Sequence, residues 1–187
     1  MVSSGEDEII TEYALKSEES LRIALGLMYG CGLEIKRRII TNFLSDLEVT
    51  LRHECSGWLV ENHFIPTNFE RYASVVLRRE LWGDQYKIAF EAQQANPRWI
   101  IIGIHKPETA AAIGGGSLKH LMDQRYMPGA SNVWWEWYRK MDDGYDDWDN
   151  AATLMKLYRK DEAVAYFVRH PRTIAEIASP EIDKAVA

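Results

Sequence analysis

Residues 69–105, FERYASVVLRRELWGDQYKIAFEAQQANPRWIIIGIH, decide the fold. They read as three consecutive β-strands joined by tight turns. In residues 73–82, apolar Val75, Leu77 and Leu81 alternate with polar Ser74, Arg78 and Glu80, as in a half-buried strand. Gly83-Asp84 suits a tight turn, because glycine adopts positive φ freely. In residues 86–92, Ile88 and Phe90 share one face while Lys87 and Glu91 take the other, the period-2 pattern of a sheet with one face in water. Asn96-Pro97 marks the next turn. Residues 99–104 are apolar on both faces, which predicts a central strand covered on both sides. Gly103 inside that run predicts either a close helix approach or a bulge. Upstream, residues 57–64 predict one more strand, and the short links favour an antiparallel meander.

Helical patterns flank the strands. From residue 17 to 54, Leu21, Leu25 and Met28 fall on one face, and Ile40, Phe43, Leu44, Leu47 and Leu51 repeat at three and four residues. Such a stripe needs an apolar partner, and the sheet supplies it. Gly26, Gly30 and Gly32 each cost a helix up to about 1 kcal/mol relative to Ala, which predicts a break, kink or close contact there. Downstream, residues 106–116 read as a loop ending in three glycines, with Ser117 as N-cap of the helix that follows. The lysine and hydroxyl of a P-loop do not follow the last glycine, so the loop reads as a connector. Residues 133–138 predict a further strand. Residues 151–158 and 161–169 predict helices, with Asp161 as a cap and Pro171 ending or kinking the second; 173–178 and 180–186 complete a helical tail. The expectation is an α+β fold: an antiparallel meander of four to five strands packed against a long N-terminal helix, with a C-terminal helical group. Residues 1–16 read as an acidic flexible N-terminus, and 17–187 as a single domain.

The 187 residues are 47% hydrophobic and 27% charged, the balance of a globular domain with a real core. No apolar run reaches the length of a membrane span, and the acidic start lacks the basic and apolar parts of a signal peptide, so a cytoplasmic protein is expected. The net charge of −6 is concentrated in residues 1–10 and 134–150, leaving the body close to neutral. A broadly basic nucleic-acid surface is not supported, although a local basic strip stays open. Cys31 and Cys55 form no CxxC unit and read as free thiols; His53 beside Cys55 gives too few ligands for zinc.

Two clusters stand out. Asp142, Asp143, Asp146, Asp147 and Asp149 lack the loop spacing of an EF-hand, and read as a solvated turn or as a ligand for a basic groove. Trp134, Trp135, Trp137, Tyr138, Tyr145 and Trp148 form an aromatic group, part core and part candidate partner surface. The candidate partner-binding residues are those six together with Asp146 and Asp147, and Arg78 and Arg79 are the candidates for phosphate contact. Glu34-Ile35-Lys36 has the acid-x-lysine order of metal-dependent nucleases, but on a helix residues two apart point away from each other. The five histidines have no nucleophile arrangement beside them. No catalytic residue, metal or cofactor is assigned.

FLSDLEVTLRHECSGWLV (43–60), the strand ending WIIIGIH (99–105), and WWEWYRKMDDGYDDWDN (134–150) leading into KDEAVAYFV (160–168) resemble the C-terminal region of phage- and prophage-type proteins of the PD-(D/E)XK nuclease superfamily. The resemblance covers residues 33 to 185 and lacks the acid-acid-lysine signature of the catalytic domain, so no catalytic residue is carried over. It implies a non-enzymatic accessory module of a phage, prophage or defence-related nuclease system, with a protein partner or nucleic acid as its ligand. The two rival expectations are an acidic, DNA-mimic-like anti-defence inhibitor and a divergent metal-dependent nuclease. Oligomeric state is not set by the sequence.

Overall fold

The structure, a computed structural model, describes residues 4–27, 32–65 and 69–187. The sequence expectations for Met28, Gly30 and Cys31 lie outside the described residues. The fold is α+β, with five antiparallel strands and six α-helices among the described residues. Helices α1 (Ser4–Ala14), α2 (Glu18–Leu27) and α3 (Gly32–Glu54) come first. Strands β1 (Leu59–Asn62), β2 (Ser74–Arg78), β3 (Lys87–Gln94) and β4 (Arg98–His105) follow. Then come α4 (Ser117–Arg125), β5 (Trp135–Lys140), α5 (Ala151–Tyr158) and α6 (Lys160–Val186). Spatial order equals chain order, β1-β2-β3-β4-β5, an unbroken meander.

The stripe on α3 explains the packing. Ile35, Ile39, Ile40, Phe43, Leu44, Leu47 and Leu51 are all buried, while Glu34, Arg37, Glu48 and Arg52 stay on the other side. Phe43 meets Trp148 and Phe167 edge-on, with centroids 5.5 and 5.1 Å apart. Phe167 of α6 in turn meets Phe90 of β3 at 5.0 Å, so one aromatic chain ties α3, α6 and the sheet together.

Several local expectations are corrected. Pro171 does not end the last helix: α6 runs through both Pro171 and Pro180 to Val186. Pro171 is buried beside Val168 and Ile174, and that apolar packing outweighs the lost backbone hydrogen bond. Asp161 sits in the first turn of α6 and makes no cap; Gly116, in the left-handed region, takes the N-cap position expected for Ser117. The acidic N-terminus is helical from Ser4, because Thr11 and Ala14 are buried and Arg38 of α3 pairs with Glu8 and Glu12. Gly103 admits a strand, not a helix: an added Cβ would lie 2.7 Å from Cβ of Tyr138 in β5, its register partner. The bulge sits one step on, between Ile104 and His105. Among the described residues no helix is long and apolar enough to cross a membrane.

Candidate functional site

The two faces of the sheet have different covers. Val75, Leu77, Ile88, Phe90, Ile100, Ile102, Ile104 and Trp137 join the main core with residues of α3, α4, α5 and α6. The opposite face carries a separate cluster, Val76, Ala89, Ile101 and Trp135 with Tyr138 against it, and every member belongs to a strand. The register places Glu61 opposite Val76, Glu91 opposite Ile101, Lys87 opposite His105, and Tyr138 beside Gly103 on this same face. Long charged side chains therefore ring a small apolar floor.

One end of this face forms a pocket of roughly 600 Å³. Ile101 and Tyr138 line it together with Gln93, Trp99, Arg71 and Arg98. Trp99 is 52% exposed although it lies in a strand. Its φ is +53°, a left-handed value that a bulky side chain rarely adopts. Tyr72 (φ +68°) and Asn96 (φ +59°) flank the same region, so three of the four non-glycine residues with positive φ among those described gather here. Arg71 donates from Nε to the Gln93 carbonyl at 3.0 Å, and its guanidinium lies 4.5 Å from the Tyr72 ring centroid. Neither Arg71 nor Arg98 forms an ion pair with a described residue, and no carboxylate lines the pocket. Lys140 Nζ stands 6.0 Å from the Trp99 centroid while pairing with Asp146 at 2.6 Å.

At the other end, His105 stacks against Trp134 and meets Trp135 edge-on at 5.1 Å. Burial, with Lys87 opposite, pushes the His105 imidazole down to about 4.

The sequence-derived candidates divide between the faces. Trp134, exposed, together with Trp135 and Tyr138 belongs to the helix-free face. Trp137, Tyr145 and Trp148 are buried in the helix-covered core, with Tyr145 stacked on Tyr166 at 4.3 Å. The acidic run is spread over separate partners: Asp142 pairs with Arg139, Asp146 with Lys140, and Asp149 with Lys36. Asp147 accepts from the Asp149 N–H, tightening the turn before α5. Arg78 is held by Glu61 and Asp84, and Arg79 by Asp183 beside Trp58 and Trp82. Lys36 reaches Asp149 while Glu34 turns to Arg37 and Arg38, so the acid-x-lysine pair does not converge. No group of three potential metal ligands exists among the described residues.

Two further polar features serve the fold. Tyr126 hydrogen-bonds His170 Nδ1 beneath α6, and Tyr166 donates to Asp142. Burial pushes Tyr126 up to about 12 and His170 down to about 4. Burial raises the Asp142 carboxyl, yet the Tyr166 hydroxyl and Arg139 outweigh it and hold the group below its usual range. A groove of roughly 760 Å³ between α3 and α6 is bridged by the pairs Asp46–Lys160 and Glu54–Arg172.

Sequence reasoning missed Trp99, Arg71, Arg98 and Tyr72. The available signal was a tryptophan directly after an Asn-Pro-Arg turn, where a strand end meets solvent. The chain matches no family model, and no curated protein or solved structure is significantly similar to it.

Proposed function

We propose that the protein is a non-enzymatic accessory module that binds its partner across the helix-free face of the sheet. One observation carries this reading: that face presents exposed Trp99 and a pocket whose two arginines have no carboxylate partner among the described residues, while Asp142, Asp146, Asp149, Arg78 and Arg79 are ion-paired within the chain. Holding Trp99 at positive φ costs on the order of 1–3 kcal/mol, a strain typical of ligand-contacting positions. The paired state of Asp142, Asp146 and Asp149 argues against a DNA-mimic surface, and the divergence of Glu34 from Lys36 argues against a metal-dependent nuclease. The setting, a phage, prophage or defence-related nuclease system, rests on the resemblance of residues 33 to 185 alone.

The test is a pull-down of the tagged chain from its native lysate, beside Trp99→Glu and Val49→Glu. Val49 is exposed on α3, far from this face in the fold. Wild type and Val49→Glu capture the partner and Trp99→Glu loses it, with circular dichroism unchanged. Capture that survives Trp99→Glu, or magnesium-dependent cleavage of nucleic acid by the purified chain, overturns the reading.

A further inference from the structure

From the pocket at the β3–β4 end we infer that the ligand of the helix-free face is single-stranded nucleic acid, with Trp99 and Tyr138 as stacking surfaces and Arg71 and Arg98 as phosphate contacts. This rests on the proposed binding role of that face and names its ligand. Single strands are gripped by aromatic rings, on which bases stack, beside cations that track the backbone. Both parts occur within one pocket: Trp99 and Tyr138 line it with Arg71 and Arg98, and Tyr72 lies under Arg71. Tyr72 and Trp99 are both about half exposed, which a ring used only for packing does not require.

Charge complementarity decides between ligand classes. The chain carries −6 overall, yet the pocket holds two cations and no acid. Arg78 and Arg79, at the far end of β2, behave differently, since both are spent on carboxylates. An arginine left unpaired on an acidic protein fits an anionic ligand. Arg71 is also aimed, because its Nε bond to the Gln93 carbonyl fixes one edge of the guanidinium and leaves the terminal nitrogens for an incoming oxygen. The apolar floor of Ile101 and the rings beside it fit a base rather than a bare phosphate. A duplex hides its base faces and needs a wide basic surface, which the chain lacks. Gln93 donates its amide to Glu91 at 2.8 Å, and stacking on a ring is indifferent to base identity, so binding is expected to tolerate sequence.

The experiment measures fluorescence anisotropy of labelled oligothymidylate and oligouridylate of about 12 nucleotides, and of a duplex of equal length, with the full chain. Either single strand binds more tightly than the duplex. With two phosphate contacts, log affinity falls against log salt with a slope of about −1.4. Trp99→Ala weakens binding at least tenfold. Arg71→Gln and Arg98→Gln each weaken it and each reduce the slope by about 0.7. Arg78→Gln and Arg79→Gln leave affinity and slope unchanged. Absence of binding by both single strands at about 100 µM overturns the inference, as does a duplex preference or indifference to Trp99→Ala and to both pocket arginines. A protein partner lost with Trp99→Glu but no oligonucleotide binding overturns the nucleic-acid ligand while the binding role of the face stands. Urea denaturation of each variant separates lost binding from lost folding.

Discussion

Strand β4 lies between β3 and β5 and serves two surfaces at once. Ile100, Ile102 and Ile104 point into the helix-covered core; Trp99, Ile101 and His105 point to the face that no helix covers. Burial alone does not separate them, because Ile101 is as inaccessible as Ile102. What differs is the cover. Ile102 lies under helices that cannot follow a lost side chain, whereas Ile101 lies under strand side chains that can. The helix-covered face carries the main core, and the other is the face proposed to take a ligand.

The largest effect tests the helix side. Phe167 meets Phe43, Phe90, Tyr145, Trp148 and Tyr166, so Phe167→Ala leaves a cavity bordered by five rings. The expected loss is about 3–5 kcal/mol in urea denaturation. A loss below about 1 kcal/mol would mean that this junction is not the centre of the core. The matched pair is sharper. Ile102→Ala is expected to cost about 2–5 kcal/mol, and Ile101→Ala about half as much because neighbouring side chains and water refill the space. Equal losses would show the two faces to be equally packed and would break the comparison.

The meander was legible because its signals are local. Gly83-Asp84 and Asn96-Pro97 delimit strands whose alternation is visible in four or five residues, and the stripe from Ile40 to Leu51 needs only helical geometry. The cover of each face was not legible. Residues 99–104 are apolar on both sides, which reads as a strand buried between two layers, yet one layer is made by the sheet's own side chains. Trp137 and Tyr138 are adjacent letters with opposite surroundings, and the bulge at His105 sets which of Trp134, Trp135 and Trp137 faces which way. Pairing is likewise long-range: Arg79 finds Asp183 and Lys36 finds Asp149 across more than a hundred residues. Arg78 and Arg79 stood out as a dipeptide, while Arg71 and Arg98 become notable only once their lack of carboxylate partners is known.

The faces also share an acid sensitivity. His170 on the helix side and His105 on the other are both pushed down to about 4, each chiefly by burial. Arg169, Arg139 and Asp142 surround His170, and Lys87 faces His105. The unfolded chain titrates its histidines near 6.5, so between pH 6.5 and 4 it binds more protons than the native state. Stability is full above 6.5 and falls as the pH drops toward 4, by roughly 3 kcal/mol for each histidine. His170→Gln reduces that slope by about half in denaturation series across the window, as does His105→Gln. An unchanged slope in both variants would place the acid sensitivity elsewhere.

The smallest expected change is the most pointed. Among the described residues, Trp99 is the one large aromatic that is half exposed within a strand and strained in its backbone. Asn adopts the left-handed region more readily, so Trp99→Asn relieves strain as it removes ring contacts. The two effects nearly offset, and stability should shift by less than about 0.5 kcal/mol. If Trp99 instead anchors the sheet, the variant loses about 3 kcal/mol, as a buried tryptophan would. A near-silent result on stability, set beside loss of ligand, is what separates a residue kept for binding from one kept for folding.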